Sequence, residues 1–264
     1  MVSANMAFYL HTRRFKVIFT LYVVLGLLFP ILYGTNVLQK PADVYSYTQG
    51  ALGEFVFATV LLVTMLAGDA ISQDFGRQGF FTLTQPVRRS EIMLARTLAA
   101  FAFAAVSILV WIGVGLATGY AFYGTAVANW GLILAFAMFL VAAVVSFTVL
   151  FSSLFKSPTV SVVICVLVVW FVMPIVSGIL ELVGVEPWFL VTYAGGVVTS
   201  LAQQTYPAHS TAINATGGGG GPTITVTVFS PYAWEAAVIM AGYLVVSLAL
   251  AWLVYSRKEL TEAS

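Results

Sequence analysis

Six long apolar stretches separated by short polar segments dominate the chain. A membrane-crossing helix needs about 20 mostly apolar residues. The apolar residues run continuously and do not alternate, which indicates helices and not the strands of a membrane barrel. The pattern therefore predicts an all-α integral membrane protein with six transmembrane helices. The predicted spans are residues 17–34, 51–67, 92–117, 130–155, 158–183 and 232–255.

The composition supports this prediction. Of 264 residues, 61% are hydrophobic and 8% are charged, and the mean hydropathy is +1.00. Globular proteins carry about 45–50% apolar and about 25% charged residues, so a soluble domain could not cover itself with so few charges. A formal net charge of +1 provides no basic surface for nucleic acid. These values exclude a soluble enzyme, a disordered chain and a nucleic-acid-binding protein.

The lysines and arginines predict the orientation. An even number of spans places both termini on one side, and a cytoplasmic position for both leaves only Lys40 outside. This distribution obeys the positive-inside rule, so we predict a multi-pass protein of the plasma membrane with cytoplasmic termini. The predicted cytoplasmic basic residues are Arg13, Arg14, Lys16, Arg77, Arg88, Arg89, Arg96, Lys156, Arg257 and Lys258.

The amino-terminal segment is too polar to cross the membrane. Apolar residues of 1–16 recur at helical spacing and basic residues follow them. This pattern predicts a helix in the membrane interface, and a frayed terminus is the alternative. The first apolar stretch is longer than a signal-peptide core and is followed by no small-residue cleavage pattern, so we expect it to be retained as a span.

Residues 187–202 form a further apolar stretch, which is short and interrupted by Gly195 and Gly196. A seventh crossing would move Arg257 and Lys258 to the outer side, against the positive-inside rule. We therefore predict a re-entrant or interfacial helix.

The rest of the predicted outer segment, residues 184–231, contains no Lys or Arg. Five consecutive glycines at 217–221 are typical of a flexible linker. Residues 223–229 alternate polar and apolar, which predicts a half-buried strand. Asn214-Ala-Thr216 matches the acceptor pattern for glycosylation, although such triplets also occur by chance.

The predicted cytoplasmic loop at residues 68–91 holds three arginines and three acids beside apolar side chains. Phe80, Phe81 and Leu83 are apolar residues in a loop that should otherwise be polar. Exposed apolar residues next to basic ones indicate a surface for a protein partner. The alternative is that the aromatic residues only anchor the loop in the membrane interface.

Motifs for enzymatic chemistry do not occur in the sequence. It contains no phosphate-binding loop with Lys-Ser or Lys-Thr, no HExxH, no GxSxG and no His–Cys cluster. The single cysteine, Cys165, lies in an apolar run, and the two histidines, His11 and His209, lie far apart. We therefore expect neither catalysis nor a metal or other cofactor on this chain.

Ionisable residues near the spans are few and are predicted at their outer ends. Glu54 and Glu181 lie near the outer ends of the second and fifth spans, and Glu235 lies at the start of the sixth. They either reach interfacial water or line the mouth of a transport path. Pro174 lies inside the fifth span, where proline removes a backbone donor and kinks a helix.

The cytoplasmic loop resembles that of the permease subunits of type-2 ATP-binding-cassette (ABC) transporters. That family has an acid followed by glycine, leucines and then Pro-Val-x-Arg-x-Glu before the third span. The corresponding run is Asp74-Phe-Gly-Arg-Gln-Gly79-Phe-Phe-Thr-Leu-Thr-Gln-Pro86-Val-Arg-Arg89-Ser-Glu91-Ile-Met-Leu-Ala-Arg96. Asp74 stands where glutamate is usual, and Phe80 where threonine is usual. The turn from Ser152 to Pro158 also resembles the family's turn between spans four and five.

The resemblance implies a permease that works with an ATPase on a partner chain, where ATP and Mg²⁺ would bind. It implies transport by alternating access, usually outward, a second permease copy in a homo- or heterodimer, and a path lined mainly by spans two and five. On this chain that path would include Glu54, Pro174 and Glu181. The loop would be the coupling helix that docks on the ATPase, through Asp74, Arg77, Phe80, Phe81, Leu83, Pro86, Arg88, Arg89 and Glu91.

Two other functions remain open on the residues alone. An intramembrane enzyme or assembly factor without an ATPase would need a reactive group of side chains, and only Glu54, Glu181, Glu235 and His209 could contribute to one. A carrier or channel that works alone would be expected to carry charges at the membrane midplane, and such charges are scarce in this sequence.

Overall fold

The computed structural model describes residues 13–75, 89–216 and 223–257, and it is mostly helical. It contains six helices that are long and apolar enough to cross a membrane, which confirms the predicted number. We call them spans 1 to 6: Phe15–Gly34, Val44–Ala67, Ser90–Tyr123, Trp130–Leu154, Pro158–Val183 and Ala233–Arg257.

The individual helices and strands have the following bounds. Span 1 belongs to α1 (Arg13–Gly34), and span 2 is made of α2 (Val44–Leu52) and α3 (Phe55–Ala67). Spans 3 and 4 belong to α4 (Arg89–Tyr123) and α5 (Trp130–Leu154). Span 5 is α6 (Pro158–Leu167), a π turn (Val168–Val172) and α7 (Met173–Val183). The remaining elements are α8 (Val191–Gly195), α9 (Val197–Leu201), β1 (Ser210–Thr216), β2 (Thr223–Phe229) and α10 (Ala233–Arg257), which forms span 6.

Successive spans bring their ends together at two opposite faces of the bundle. On one face Ser161 at the start of span 5 bonds to Gly68 after span 2. On the other face Tyr47 at the start of span 2 bonds to Thr118 near the end of span 3. We call the first the turn face, because it carries the short turn between spans 4 and 5. We call the second the hairpin face, because it carries the β-hairpin.

The spans differ in burial. More than half of the residues in the most apolar part of spans 2, 3 and 4 are buried, whereas few residues of spans 1, 5 and 6 are buried. Fully buried side chains such as Ile112, Leu140 and Val144 belong to spans 3 and 4. The core therefore lies around spans 2 to 4, and the other spans present apolar side chains outward, as expected of helices that face lipid or a partner helix.

Span 2 begins earlier than the predicted residue 51. The carboxylate of Asp43 accepts a hydrogen bond from the Ser46 N–H at 2.7 Å and caps α2. The helix then breaks at Gly53 and Glu54 before α3 begins at Phe55. The prediction was wrong here because the first turns of span 2 are rich in Tyr, Ser, Thr and Gln, which a hydropathy pattern does not count as membrane-spanning.

The other span boundaries differ less from those predicted. Residues 13–16 were predicted as the end of a separate interfacial helix, but they are the first turn of α1, which continues as span 1. Residues 1–12 lie outside the described residues. Span 3 continues to Tyr123, beyond the predicted end at 117, because the last turns contain Thr, Gly and Tyr but remain helical.

The fifth span contains a π turn directly before Pro174. Proline has no N–H to donate to the carbonyl four residues before it. The Met173 N–H bonds to the Val168 carbonyl, five residues back, and the helix resumes as α7. Such π turns re-satisfy backbone groups and widen the helix locally, so the middle of span 5 is its irregular point.

The chain between spans 5 and 6 forms two short helices and a hairpin. The helices α8 and α9 lie within the predicted re-entrant stretch 187–202, and Val191–Leu201 is too short to cross a bilayer. β1 and β2 pair antiparallel from Ser210↔Phe229 to Thr216↔Thr223. The predicted strand at 223–229 is therefore present, its partner was not predicted, and the glycine run at 217–221 lies outside the described residues.

Candidate functional site

Side chains of several spans bind the segment that leaves span 2 on the turn face, residues 68–75, which we call the loop root. The Ser152 hydroxyl oxygen accepts hydrogen bonds from the N–H groups of Ile71 at 2.9 Å and Ser72 at 3.0 Å. These groups are buried, so their bonds are strengthened by the low local polarity. The bonds join the loop root to the end of span 4.

Two further spans hold the same segment. The Ser161 hydroxyl of span 5 donates to the Gly68 carbonyl at 2.6 Å. The Arg96 guanidinium of span 3 donates to the Ala70 carbonyl at 2.7 Å. The loop root is therefore bound by side chains of spans 3, 4 and 5 at once, and a displacement of the loop would act on all three.

Close packing also holds the loop root. A Cβ atom at Gly68 would lie 2.8 Å from the Val162 Cγ2 atom and 2.6 Å from the Thr64 carbonyl oxygen. Such distances are shorter than van der Waals contact, so only glycine fits between span 2 and span 5 at this position. A side chain here would separate the helices.

The local sequence explains why two serines meet the loop root. Span 4 ends at Leu154, and span 5 begins at Pro158, a residue favoured in the first turn of a helix. The short turn places Ser152 and Ser161 on neighbouring helices close to the same face. The Ser161 hydroxyl thereby satisfies a backbone carbonyl and joins two helices.

Most of the predicted coupling residues lie outside the described residues: Arg77, Phe80, Phe81, Leu83, Pro86 and Arg88. Asp74 belongs to the short 3-10 helix Ser72–Phe75, and Arg89 is the first residue of α4. Glu91 is exposed in the first turn of α4, where an acid favours the helix dipole. The structure thus describes both ends of the predicted coupling loop.

A polar cavity of about 470 Å³ opens on the hairpin face between α7 and the two short helices. Its lining includes Pro174 and Glu181, two of the three residues predicted for a transport path. The Ser177 hydroxyl donates to Glu181 Oε1 at 3.1 Å and orients that carboxylate. The other lining residues are Ser177, Gly178, Thr192, Tyr193, Gly196, Thr199, Ser200, Gln203, Phe229, Ser230 and Pro231.

The third predicted path residue, Glu54, does not line this cavity. It is exposed at the break between α2 and α3. The neighbouring Val56 nevertheless packs close to Gly195 of α8, where a Cβ atom would lie 3.0 Å from its Cγ1 atom. The structure therefore brings Pro174 and Glu181 together, and it leaves Glu54 at the edge of the hairpin face.

Among the described residues, one group of three side chains could hold a metal ion: Glu186, His209 and Glu235. The sequence singled out His209 and Glu235 as candidate reactive groups but not in combination with Glu186. These residues lie on three elements far apart in sequence, and no motif spacing relates them. Only the tertiary structure brings them together.

Comparison with known families agrees with this architecture. The family model described as "ABC-2 family transporter protein" matches residues 13–260. This range includes every span, the loop root and the hairpin. No curated protein matches the chain.

Proposed function

Because the chain belongs to the ABC-2 family of transporter membrane (permease) proteins, it is the membrane component of an ABC transporter, and we propose that it exports its substrate by alternating access, driven by an ATPase on a separate chain. The permease would contribute the path and the movement. ATP and Mg²⁺ would bind the partner, and their chemistry would take place there.

The observation that carries this proposal is the attachment of the loop root. Spans 3, 4 and 5 all bond to residues 68–72 through Arg96, Ser152 and Ser161. A partner that pulled on the loop beyond Phe75 would therefore move several spans together. Buried hydrogen bonds resist such a displacement, because breaking them leaves unpaired polar groups in an apolar surrounding.

The partner would bind the loop from Asp74 to Glu91. Phe80, Phe81 and Leu83 would enter an apolar groove of the ATPase, and Arg77, Arg88 and Arg89 would pair with acids around it. An apolar centre with a charged rim is the usual organisation of a tight protein interface. Pro86 would end the apolar part of the docking segment.

This arrangement requires that the turn face lies in the cytoplasm. The positions of the basic residues support that orientation. Lys16, Arg96 and Arg257 lie at the turn-face ends of described spans, whereas Lys40 lies on the hairpin face over the Phe122 ring. By the positive-inside rule, both termini would be cytoplasmic in the plasma membrane.

The outward-facing apolar surface of span 5 supports a second permease copy. Side chains along one length of the helix are exposed: Leu167, Phe171, Val172, Ile175, Ile179 and Leu182. Membrane helices associate by packing such surfaces against one another. We propose a homo- or heterodimer in which span 5 lies near the partner permease.

The cavity on the hairpin face would be the outer end of the substrate path. It lies beside the π turn, where the helical hydrogen bonding of span 5 is already irregular. A hinge at Pro174 would change the width of the cavity while the turn-face end of span 5 follows the loop root. Glu181 would meet the substrate there, and Glu54 would border the exit.

Charge reversal in the docking loop tests the proposal. The chain with Arg88→Glu and Arg89→Glu is expressed in its native membrane, extracted in mild detergent and analysed for a co-purifying P-loop ATPase. We expect the wild type to bring down such an ATPase in stoichiometric amount. The double variant should reduce recovery at least about tenfold, because glutamates at these positions would face the acids of the ATPase, and like charges set against each other at an interface cost several kcal/mol.

A matched control separates docking from general surface charge. Arg13→Glu with Arg14→Glu reverses two charges on the same face outside the loop and should leave co-purification unchanged. Both variants must reach wild-type membrane levels. Normal ATPase binding and normal transport by the loop variant would disprove the coupling role.

A further inference from the structure

Three ionisable side chains meet on the hairpin face, outside the proposed ATPase-docking surface. Glu186 precedes α8, His209 precedes β1, and Glu235 lies in the first turn of α10. One ligand atom of each lies within 4.8 Å of the others, and all three residues are half-buried. The hairpin, the short helices and span 6 are therefore connected at one point.

The closest pair has the spacing of two metal ligands. His209 Nε2 lies 3.3 Å from Glu186 Oε2. Two ligand atoms about 2.0–2.2 Å from a tetrahedral metal ion are roughly 3.3–3.6 Å apart. A small rotation of side chains that are still partly exposed would bring the third ligand, Glu235, to the same distance.

The orientation of the histidine ring is set by its other nitrogen. His209 Nδ1 lies 3.0 Å from the Ser230 carbonyl oxygen. A carbonyl can only accept a hydrogen bond, so Nδ1 carries the proton and Nε2 faces Glu186. The ring also stacks on Tyr232, with ring centroids 4.4 Å apart and planes 8° from parallel. A backbone carbonyl on the distal ring nitrogen is typical of metal-binding histidines.

Each of the two carboxylates accepts a hydrogen bond from a residue that is not one of the three ligands. The Tyr193 hydroxyl donates to Glu186 Oε1 at 2.6 Å, and the Tyr232 N–H donates to Glu235 Oε2 at 3.3 Å. The Tyr193 hydroxyl is the donor in its bond, because an ionised carboxylate can only accept. Each carboxylate thus has one oxygen bound by an outer partner.

The ligand atoms of Glu186, His209 and Glu235 that face one another do not balance one another's charge. Nε2 of His209 and the oxygens of the Glu186 and Glu235 carboxylates face one another across the same small space. The two carboxylates repel each other at this distance, and the whole segment 184–231 contains no Lys or Arg to balance them. Either added protons or a cation must occupy the space between these atoms.

We propose that Glu186, His209 and Glu235 bind one divalent transition-metal ion of the Zn²⁺ type, with water as a fourth ligand. Imidazole favours zinc over the harder Mg²⁺ and Ca²⁺ ions, and two carboxylates balance the charge of the ion. The ion would join the hairpin and the short helices to the start of span 6. The site would be structural and would lie beside the cavity lined by Tyr193 and Ser230.

The test measures zinc on the full-length chain in detergent micelles, with any affinity tag removed. The protein is stripped with EDTA, equilibrated with Zn²⁺ and analysed by inductively coupled plasma mass spectrometry and by calorimetric titration. We expect one Zn²⁺ per chain, not displaced by excess Ca²⁺. His209→Ala and Glu186→Gln should each weaken binding by at least about tenfold.

Two matched controls should keep wild-type binding. His11→Ala removes the other histidine of the chain, and Glu54→Gln removes an exposed acid elsewhere on the hairpin face. Tyr193→Phe removes the outer partner of Glu186 but no ligand, and its affinity should fall about tenfold.

A measurement on the wild type tests the proposal even if the variants at the metal-binding residues do not fold. X-ray absorption at the zinc edge of the wild type should show nitrogen and oxygen scatterers at about 2.0–2.1 Å. A wild type that binds no stoichiometric zinc, or a sulfur scatterer from Cys165, would overturn the assignment. Undiminished binding by properly folded His209→Ala protein would also overturn it, and the three residues would then be a proton-sharing network.

Discussion

The loop root on the turn face and the polar cavity on the hairpin face differ in how deeply their polar groups are buried and in which residues bond to them. On the turn face, the bonds of Ser152 and Ser161 are buried and join residues 80–93 positions apart in the sequence. On the hairpin face, the carboxylates of Glu181 and Glu186 are half-buried, and Ser177 bonds Glu181 only four residues away. The loop root on the turn face is a rigid junction, whereas the cavity on the hairpin face is an open polar surface.

This difference suits the two regions to different tasks: the loop root to holding spans together, and the cavity to changing shape. A buried polar group without a partner costs about 1–3 kcal/mol, so the junction would keep its bonds during the proposed movement of the spans. An exposed hydrogen bond can be exchanged for one with water at little cost, so the cavity can change shape. The proposed exporter would need the first property where the ATPase acts and the second where the substrate leaves.

The largest effect is expected from Ser152→Ala. The substitution leaves the N–H groups of Ile71 and Ser72 buried without an acceptor, at about 1–3 kcal/mol each. The free energy of unfolding in detergent should fall accordingly, and ATP-driven transport in proteoliposomes should fall more than ATPase binding.

Ser146→Ala is the matched control for that prediction. Ser146 is buried in the same helix, but its hydroxyl donates to the Ala142 carbonyl of that helix at 2.7 Å. We expect a loss of about 0.5–1.5 kcal/mol. Equal losses for the two variants would show that the junction has no special mechanical role.

A smaller effect is expected from Gly68→Ala. The added methyl group would overlap Val162 and the Thr64 carbonyl, and overpacking of this kind costs about 1–3 kcal/mol. The melting temperature should fall, and cross-linking between spans 2 and 5 should become less efficient.

Gly113→Ala is the control. At Gly113, a Cβ atom meets no described atom within 4 Å, so this substitution should stabilise α4 by about 0.5–1 kcal/mol. A wild-type melting temperature for Gly68→Ala would contradict the close packing.

The smallest effect is expected at Asp43, an exposed cap on the hairpin face. The backbone N–H of Ser46 lowers the pKa of its carboxyl. A lowered pKa in the folded protein means that the stabilisation is present above the unfolded pKa of about 3.9 and is lost as the pH falls through the folded value. Between about pH 5 and pH 3, the melting temperature of the wild type should therefore fall slightly further than that of Asp43→Asn. Asparagine keeps the cap but does not titrate. Identical pH profiles would show that the cap contributes nothing.

Hydropathy predicted the six spans because each apolar helix must satisfy its own backbone in lipid. It failed for the first turns of span 2, where Tyr47 and Thr48 are buried against protein and not exposed to lipid. A polar residue of this kind satisfies its hydroxyl through a bond to another helix, as Tyr47 does with Thr118. That partner is not visible in a linear pattern.

The candidate site was predictable only in part. The loop motif predicted family membership, which the family match over residues 13–260 confirms. The coupling role of Arg88 and Arg89 stays a prediction, because the match tests the family and not those residues. The serine contacts of the loop root were not predicted, because nothing in the spacing of Ser152 and Ser161 identifies Ile71 or Gly68 as their partners.

The sequence by itself determined which segments can lie in a membrane and which family the chain resembles, because both follow from local residue order. Only the tertiary structure decided which polar groups meet: Ser161 with Gly68 on one face, and Glu186 with His209 on the other. The physical reason is that burial in lipid depends on the apolar character of each segment. A hydrogen bond or an ion site depends instead on distances between atoms that the chain brings together only after the helices have packed.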